Sequence, residues 1–162
     1  MLYLANSLGQ LRFGDLMEVY IEGNRKQAEF SSLLQVEQEF YQYLRECFFQ
    51  MPDAVYAIWV ENNKYVSALR LEPYKDGLLL NALETAPQCR NQGYACKLLG
   101  AVQTHFAGKK LYSHVGKENA PSLAVHEKCG FRKISDSAAY IDGSVDSKAV
   151  TLLYQSVYGE NI

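Results

Sequence analysis

Residues 78–106 read LLLNALETAPQCRNQGYACKLLGAVQTHF. The first eight, Leu78 to Thr85, are a strand-like apolar run. Pro87 to Gln92 is a polar loop closed by Gly93. From Tyr94 to Phe106 the apolar residues Ala95, Leu98, Leu99, Val102 and Phe106 recur at helical spacing, so an amphipathic helix follows. A strand that turns through a polar, glycine-ended loop into a helix can aim several backbone amides at one point. The helix start adds partial positive charge there, and together they suit a diphosphate. Gly93 permits close approach of backbone to ligand, and Ala95 keeps the helix near it. The loop lacks the G-K-[ST] of a nucleotide-triphosphate loop and the three glycines of a dinucleotide fingerprint. On these residues alone, an ordinary strand-to-helix connection explains the segment equally well.

Working outward, Lys110 to Val115 reads as a short strand. Asn119 caps a helix from about Ala120 to Cys129, with Pro121 in its first turn and Gly130 at its exit. Phe131 to Ile134 and Ala149 to Gln155 are strands, and Ala138 to Ile141 closes a hairpin through Asp142-Gly143. On the amino-terminal side, Ala54 to Glu61 and Lys64 to Glu72 form a hairpin through Asn62-Asn63, and Lys75-Asp76-Gly77 turns the chain into Leu78. Met1 to Ala5 suits a first strand. Asp15 can cap a helix from Leu16, which Gly23-Asn24 would interrupt, and Val36 to Gln50 is a second helical stretch ended before Pro52. The expected architecture is α/β: a mixed, mostly antiparallel sheet with helices on both faces.

The 162 residues suit one domain, 1–162, with a real core. A net charge of −2 with scattered Lys and Arg argues against a nucleic-acid partner or an anionic membrane surface. No apolar run is long enough to span a bilayer, and MLYLANSLGQLRFGD lacks the pattern of a secretory signal. Cys47, Cys89, Cys96 and Cys129 form no C-x-x-C pair, so free, mostly buried thiols, no metal site and a cytoplasmic location are expected.

Two segments carry a resemblance. RNQGYA (90–95) resembles the [RQ]-x-x-G-x-[GA] signature of the GCN5-related N-acetyltransferases, and the preceding LETAP (83–87) resembles that family's fourth strand and its exit proline. NAPSLAVHEKCGF (119–131) resembles their second signature, N-x-x-[AS]-x-x-x-Y-x-x-x-G-F, with Asn119, Ser122, Gly130 and Phe131 in register. The resemblance implies a sheet whose fourth and fifth strands splay apart. It implies acetyl-CoA as cosubstrate, its diphosphate on the amides of Arg90, Asn91, Gln92, Gly93, Tyr94 and Ala95. The pantetheine arm would pair with the strand edge at Leu83, Glu84 and Thr85, as in β-strand addition, with Asn119 and Ser122 nearby. A primary amine of a small molecule or protein would accept the acetyl group by direct attack, with a homodimer left open. A non-catalytic acyl-CoA-sensing module of the same fold is the alternative, and another phosphate ligand, or none, a third.

Three residues are candidates for proton transfer. Strict alternation puts Glu84 on one face with Leu78, Leu80 and Ala82, either toward the acceptor as base or toward solvent. His114 ends the strand LYSH, either as a second base or as a satisfied strand-end histidine. His126 stands where the family usually carries a tyrosine acid, so it either protonates the leaving thiolate or only packs. The resemblance places the acceptor under the first helices, near Arg25, Lys26, Glu29, Phe30, Tyr41 and Tyr43, with Tyr56 and Trp59 as walls. His105 reads as packing or surface.

Overall fold

The computed structural model describes residues 1–156. A seven-stranded sheet runs in the order β1 (Leu2–Ala5), β2 (Val55–Glu61), β3 (Lys64–Tyr74), β4 (Gly77–Thr85), β5 (Lys110–Gly116), β9 (Ala149–Tyr154), β6 (Arg132–Ser135). A small hairpin, β7 (Ala138–Ala139) with β8 (Val145–Asp146), stands apart. Every pairing is antiparallel except β4 with β5. That parallel pair is short. It holds from Gly77 against Lys110 to Leu80 against Ser113 and then opens, so the splay expected of strands four and five is present. Gly77 allows the close start, since a Cβ there would lie 2.2 Å from the Lys110 carbonyl oxygen.

Helices cover both faces. α4 (Tyr94–His105) and α5 (Ala120–Lys128) lie on one, where Leu98, Leu99 and Val102 pack with Leu69, Leu71, Leu78, Leu80, Leu111 and Val115. Asn119 caps α5 by accepting from the Ser122 amide at 3.2 Å, and Gly130 leaves the helix at φ +89°. On the other face lie α1 (Phe13–Val19), α2 (Ile21–Gln27) and α3 (Leu33–Glu46); Leu16, Met17, Val19 and Leu44 from them, with Phe48 from the short 3-10 turn after α3, are buried against Tyr56, Ile58 and Ala68.

Local corrections have physical causes. α1 begins at Phe13, so Asp15 lies in its first turn, paired with Arg12, and does not cap it. The break between the first helices falls at Tyr20, whose buried ring packs at tilted or edge geometry on Phe40 and Tyr56. Gly23 sits within α2, because one glycine costs a helix only about 1 kcal/mol. α3 starts at Leu33 and not Val36: Ser32 accepts from the Gln35 amide at 3.1 Å, a cap with the S-x-x-Q spacing. The Asn62-Asn63 turn has both residues at positive φ (48° and 61°), as a type I′ hairpin requires. None of the four cysteines is buried; Cys47 is exposed and the others are partly so.

One departure from regular pairing shapes the site. Arg70 faces Asn81 and Ala68 faces Glu84, so β4 advances three residues where β3 advances two. Ala82, at φ +55°, takes up the extra residue as a β-bulge. Its carbonyl accepts from the Tyr20 hydroxyl at 2.7 Å, and Tyr20 in turn accepts from Tyr56 at 2.8 Å.

Candidate active site

Between the parted ends of β4 and β5 lies a cleft of about 1500 Å³. Leu83, Glu84 and Thr85 form its β4 wall, the loop and first turn from Cys89 to Cys96 (Gln92 excepted) a second, and Asn119, Pro121, Ser122 and Val125 a third. Ten of the eleven residues expected at the cofactor therefore meet in one cavity. Gln92 is the exception, and its side chain turns back to the Gln88 carbonyl at 3.5 Å.

The loop is built as an anion site requires. Asn91 and Gly93 both take left-handed conformations (φ 62° and 81°), and the first backbone donor of α4 is Lys97, to Gly93 O at 3.0 Å. Among the described residues, the amides from Asn91 to Cys96 find no acceptor. Nothing lies within 4 Å of where a Gly93 Cβ would stand, so there is room for an anion beside it. Five cationic side chains line the cleft (Lys26, Arg90, Lys117, Lys128, Lys148) against three carboxylates (Glu22, Glu84, Glu118), a balance that favours a polyanion. Lys26, Lys117 and Lys148 lie outside both sequence signatures. Lys117 and Lys148 come together because the Lys117 amide donates to the Lys148 carbonyl at 2.8 Å, a contact between loops that no local pattern announces.

The β4 edge is open here. The Ala86 amide donates to Val66 O of the neighbouring β3 end at 2.9 Å, so by alternation Thr85 turns its own N–H and C=O away from β3, toward the cleft.

The bulge revises the placement of Glu84. It does not share the face of Leu78 and Leu80; the extra residue moves it to the face of Asn81 and Leu79, on the side covered by α1 to α3. It stays partly buried, and burial raises its carboxyl above the ordinary value despite the Arg90 charge beside it. Its side chain remains 38% exposed, so the carboxylate sits at a half-buried, wet edge of the sheet.

The two histidines do not join Glu84 in the cleft lining. His126 is 1% exposed. Its Nδ1 donates to Ser122 O at 2.7 Å, leaving Nε2 to accept from the Ser113 hydroxyl at 2.9 Å, and Phe131 packs edge-on at 5.0 Å. Burial lowers its pKa, so the ring is neutral and both nitrogens are engaged. Packing, not proton donation into the cleft, is its placement. His114 lies beneath the β7–β8 hairpin, edge-on to Tyr74 and Tyr140 at 5.5 and 4.8 Å. Both its ring nitrogens are buried without a partner, and burial, then Lys75, pulls its pKa down.

Of the residues expected around an acceptor, Arg25, Lys26 and Glu29 border a second hollow of about 560 Å³ with Ile21, Glu22 and Pro87. Phe30 is 94% exposed and Tyr41 and Tyr43 are partly so. Tyr56 is wholly buried and Trp59 packs with the α4 face, so neither forms an acceptor wall. The Arg70 guanidinium lies over the Tyr43 ring at 5.2 Å. His105 packs on Phe106 at 4.8 Å. Burial and a hydrogen bond with the free Cys96 thiol raise the Cys129 pKa, which disfavours its thiolate. Among the described residues, no group of three His, Cys, Asp or Glu side chains is placed to hold a metal ion, and no helix is long and apolar enough to cross a membrane.

Comparison with known proteins gives the same picture. The profile of the Acetyltransferase (GNAT) family matches residues 21–131. The chain resembles the crystal structure of the ribosomal-protein-S18-alanine N-acetyltransferase from Escherichia coli, with 20% identity, TM-score 0.64, and coverage of 100% of this chain and 99% of that one. It resembles the aminoglycoside 6′-acetyltransferase type Ii at 14% identity and TM-score 0.65, covering 96% of each chain. It also resembles the PaiA N-acetyltransferase from Thermoplasma acidophilum in complex with coenzyme A, at 12% identity and TM-score 0.62, over 96% and 99% of the two chains. No curated protein matches in sequence.

Proposed function

Since the chain belongs to the acetyltransferase (GNAT) family, we propose that it moves the acetyl group of acetyl-CoA to a primary amine by direct attack, with both substrates bound together, the whole of 1–162 acting as one unit. The observation that carries this is the open β4 edge beside a loop of unpaired amides with room next to Gly93. The diphosphate lies on the amides of the Arg90–Ala95 loop, with the cleft lysines around it. The pantetheine arm completes the β4 edge at Leu83, Glu84 and Thr85. Asn119 and Ser122 border the arm from α5. No metal is needed, because the thioester is already activated.

An alkylammonium has a pKa of about 10, so the acceptor must lose a proton to attack. The ammonium first gives one proton to water, and Glu84, partly buried and turned to the acceptor side, takes the second as the neutral amine forms the new C–N bond. The C–S bond then breaks and CoA leaves as thiolate. Juxtaposing the two reactants accounts for much of the acceleration. His114 lies farther along the acceptor side, and its orphaned nitrogens suit a water or a polar acceptor group. The acceptor is a small-molecule or a protein amine. The relatives' names, one a protein alanine acetyltransferase and one an aminoglycoside acetyltransferase, favour neither class. The chain's four free thiols suit a cytoplasmic enzyme.

The withdrawal of His126 from the cleft favours one competing reading, a sensor that binds acyl-CoA without turnover. Calorimetric titration with acetyl-CoA tests binding. CoA release with an amine panel (lysine, an alanine-ended peptide, an aminoglycoside, a polyamine) tests transfer. Absence of binding removes both readings; binding with no release across the panel leaves the sensor.

A further inference from the structure

The loop signature places Arg90 among the residues whose amides hold the diphosphate, but its side chain turns the other way. Nη2 donates to Glu84 Oε1 at 2.9 Å, Nη1 to Glu22 Oε2 at 2.8 Å, and Nε to the Thr85 carbonyl at 3.3 Å. One guanidinium therefore joins α2 to the end of β4. Exposed ion pairs are weak, and here Arg90, Glu84 and Glu22 are 35%, 38% and 45% exposed; the contact gains from geometry, since it uses each nitrogen of a rigid fork, which a lysine cannot reproduce.

We propose that Arg90 is a positioning residue whose guanidinium straps the acceptor-side helix α2, through Glu22, to β4 and fixes the Glu84 carboxylate at the mouth of the cleft. The proposal rests on Glu84 acting as the base. It adds Glu22 to the site, a residue outside both sequence signatures. It also gives Arg90 a second duty: its Nε occupies the Thr85 carbonyl on the strand edge where the pantetheine arm would pair, so arrival of the arm exchanges that bond while the two carboxylate contacts persist.

Few other charges bear on Glu84. From α2 come Glu22 and Lys26; from the junction of α1 and α2 comes Tyr20, whose phenol burial keeps protonated. From β3, Ala68 stands opposite, and Arg70 turns to the rings of Tyr43, Phe40 and Phe48 at 5.2, 5.7 and 5.9 Å. With the strap intact, Arg90 opposes the rise that burial imposes on Glu84, and Glu22 adds to that rise. Arg90→Gln and Glu22→Gln must therefore move the Glu84 titration in opposite directions.

The test is a carboxyl-carbon NMR titration of the full chain labelled at glutamate, with the Glu84 signal assigned by its loss in Glu84→Gln. Arg90→Gln should raise the Glu84 titration, Arg90→Lys should raise it less, and Glu22→Gln should lower it. If Arg90→Gln leaves it unchanged or moves it down, the carboxylate is not held and the proposal falls; shifts of the same sign in both variants overturn it too. Glu22→Gln carries the test if Arg90→Gln does not fold. In calorimetry Arg90→Gln should bind acetyl-CoA within about threefold of the parent or tighter; a loss beyond about tenfold returns the side chain to the diphosphate. Normal turnover in Glu84→Gln would sink the base assignment, while the opposed titration shifts would still stand.

Discussion

Gly93→Ala and Gly93→Asp, made as a pair, separate backbone strain from charge at the loop. Gly93 sits at φ +81° at the start of α4, with open space where a Cβ would go. The cost of Ala is therefore backbone alone, about 1–2 kcal/mol for a left-handed L-residue. Asp tolerates this region better, and a carboxylate at a helix start gains roughly 0.3–1 kcal/mol. In the free protein Gly93→Asp should thus melt above Gly93→Ala. Acetyl-CoA affinity should follow the reverse order. The strain of Ala is present with and without ligand, so it should bind within about threefold of the parent. A carboxylate about 5 Å from one diphosphate charge is opposed by roughly 3 kcal/mol at an effective dielectric near 20. That is about a hundredfold in affinity, partly screened at physiological salt. Thermal unfolding gives the first order and calorimetry with acetyl-CoA the second. If Gly93→Asp binds as tightly as Gly93→Ala, no diphosphate lies beside residue 93 and the cofactor assignment fails.

Glu84→Gln should lower kcat by about 10²–10⁴-fold, as expected for a lost general base, with acetyl-CoA affinity nearly unchanged. In the parent, turnover should decline as pH falls through the Glu84 pKa, which burial holds above the usual carboxylate value; unaltered turnover in the variant removes Glu84 from the chemistry. His126 is buried neutral with a lowered pKa, so the unfolded chain binds the extra proton. The stability it contributes is present above about pH 6.5 and is lost as pH falls from there toward the folded value. Urea unfolding at pH 7.5 and 5.5 should show a shallower acid loss in His126→Gln, by at most about 1.4 kcal/mol per pH unit, the remainder belonging to His114, which is shifted the same way; an equal slope would place His126 in solvent. Tyr20→Phe should cost roughly 1–3 kcal/mol in urea unfolding, because it strips the Ala82 carbonyl and the Tyr56 hydroxyl of a partner; a negligible change would mean that the bulge holds itself.

The parts that local chemistry announces were legible. The 3.6-residue spacing of Leu98, Leu99 and Val102 marked α4 and its buried face, and Asn119 with Pro121 marked the start of α5. Most of the cleft lining comes from two signatures that are each contiguous in sequence. What was not legible depends on partners far apart in sequence. His126 reads alike as a proton donor or a core residue until Ser113 on β5 is seen to engage its ring. Glu22 lies 68 residues from Arg90, and no pattern in either segment predicts the pair. The Tyr20 break is set by burial of its ring rather than by the glycine three residues on. The left-handed residue of the bulge is an alanine, the type least suited to announce it, so strict alternation misplaced Glu84.

That single extra residue joins the two halves of the proposed chemistry. A regular β4 would keep Glu84 on the α4 face with Leu78 and Leu80, beside the donor and away from any acceptor under α2. The bulge turns it across the sheet while Thr85 still offers its backbone to the cleft. The proposed base and the strand edge proposed to pair with the cofactor are thereby adjacent in sequence but turned to opposite sides of the sheet. The geometry persists because its cost is met locally: a positive φ at Ala82 is fixed by a buried tyrosine pair on its carbonyl, and the turned carboxylate by the Arg90 fork. Both supports reach β4 from the junction of α1 with α2 or from α2 itself, through Tyr20 and Glu22, so the bulge and the Glu84 carboxylate are held from the same helical layer.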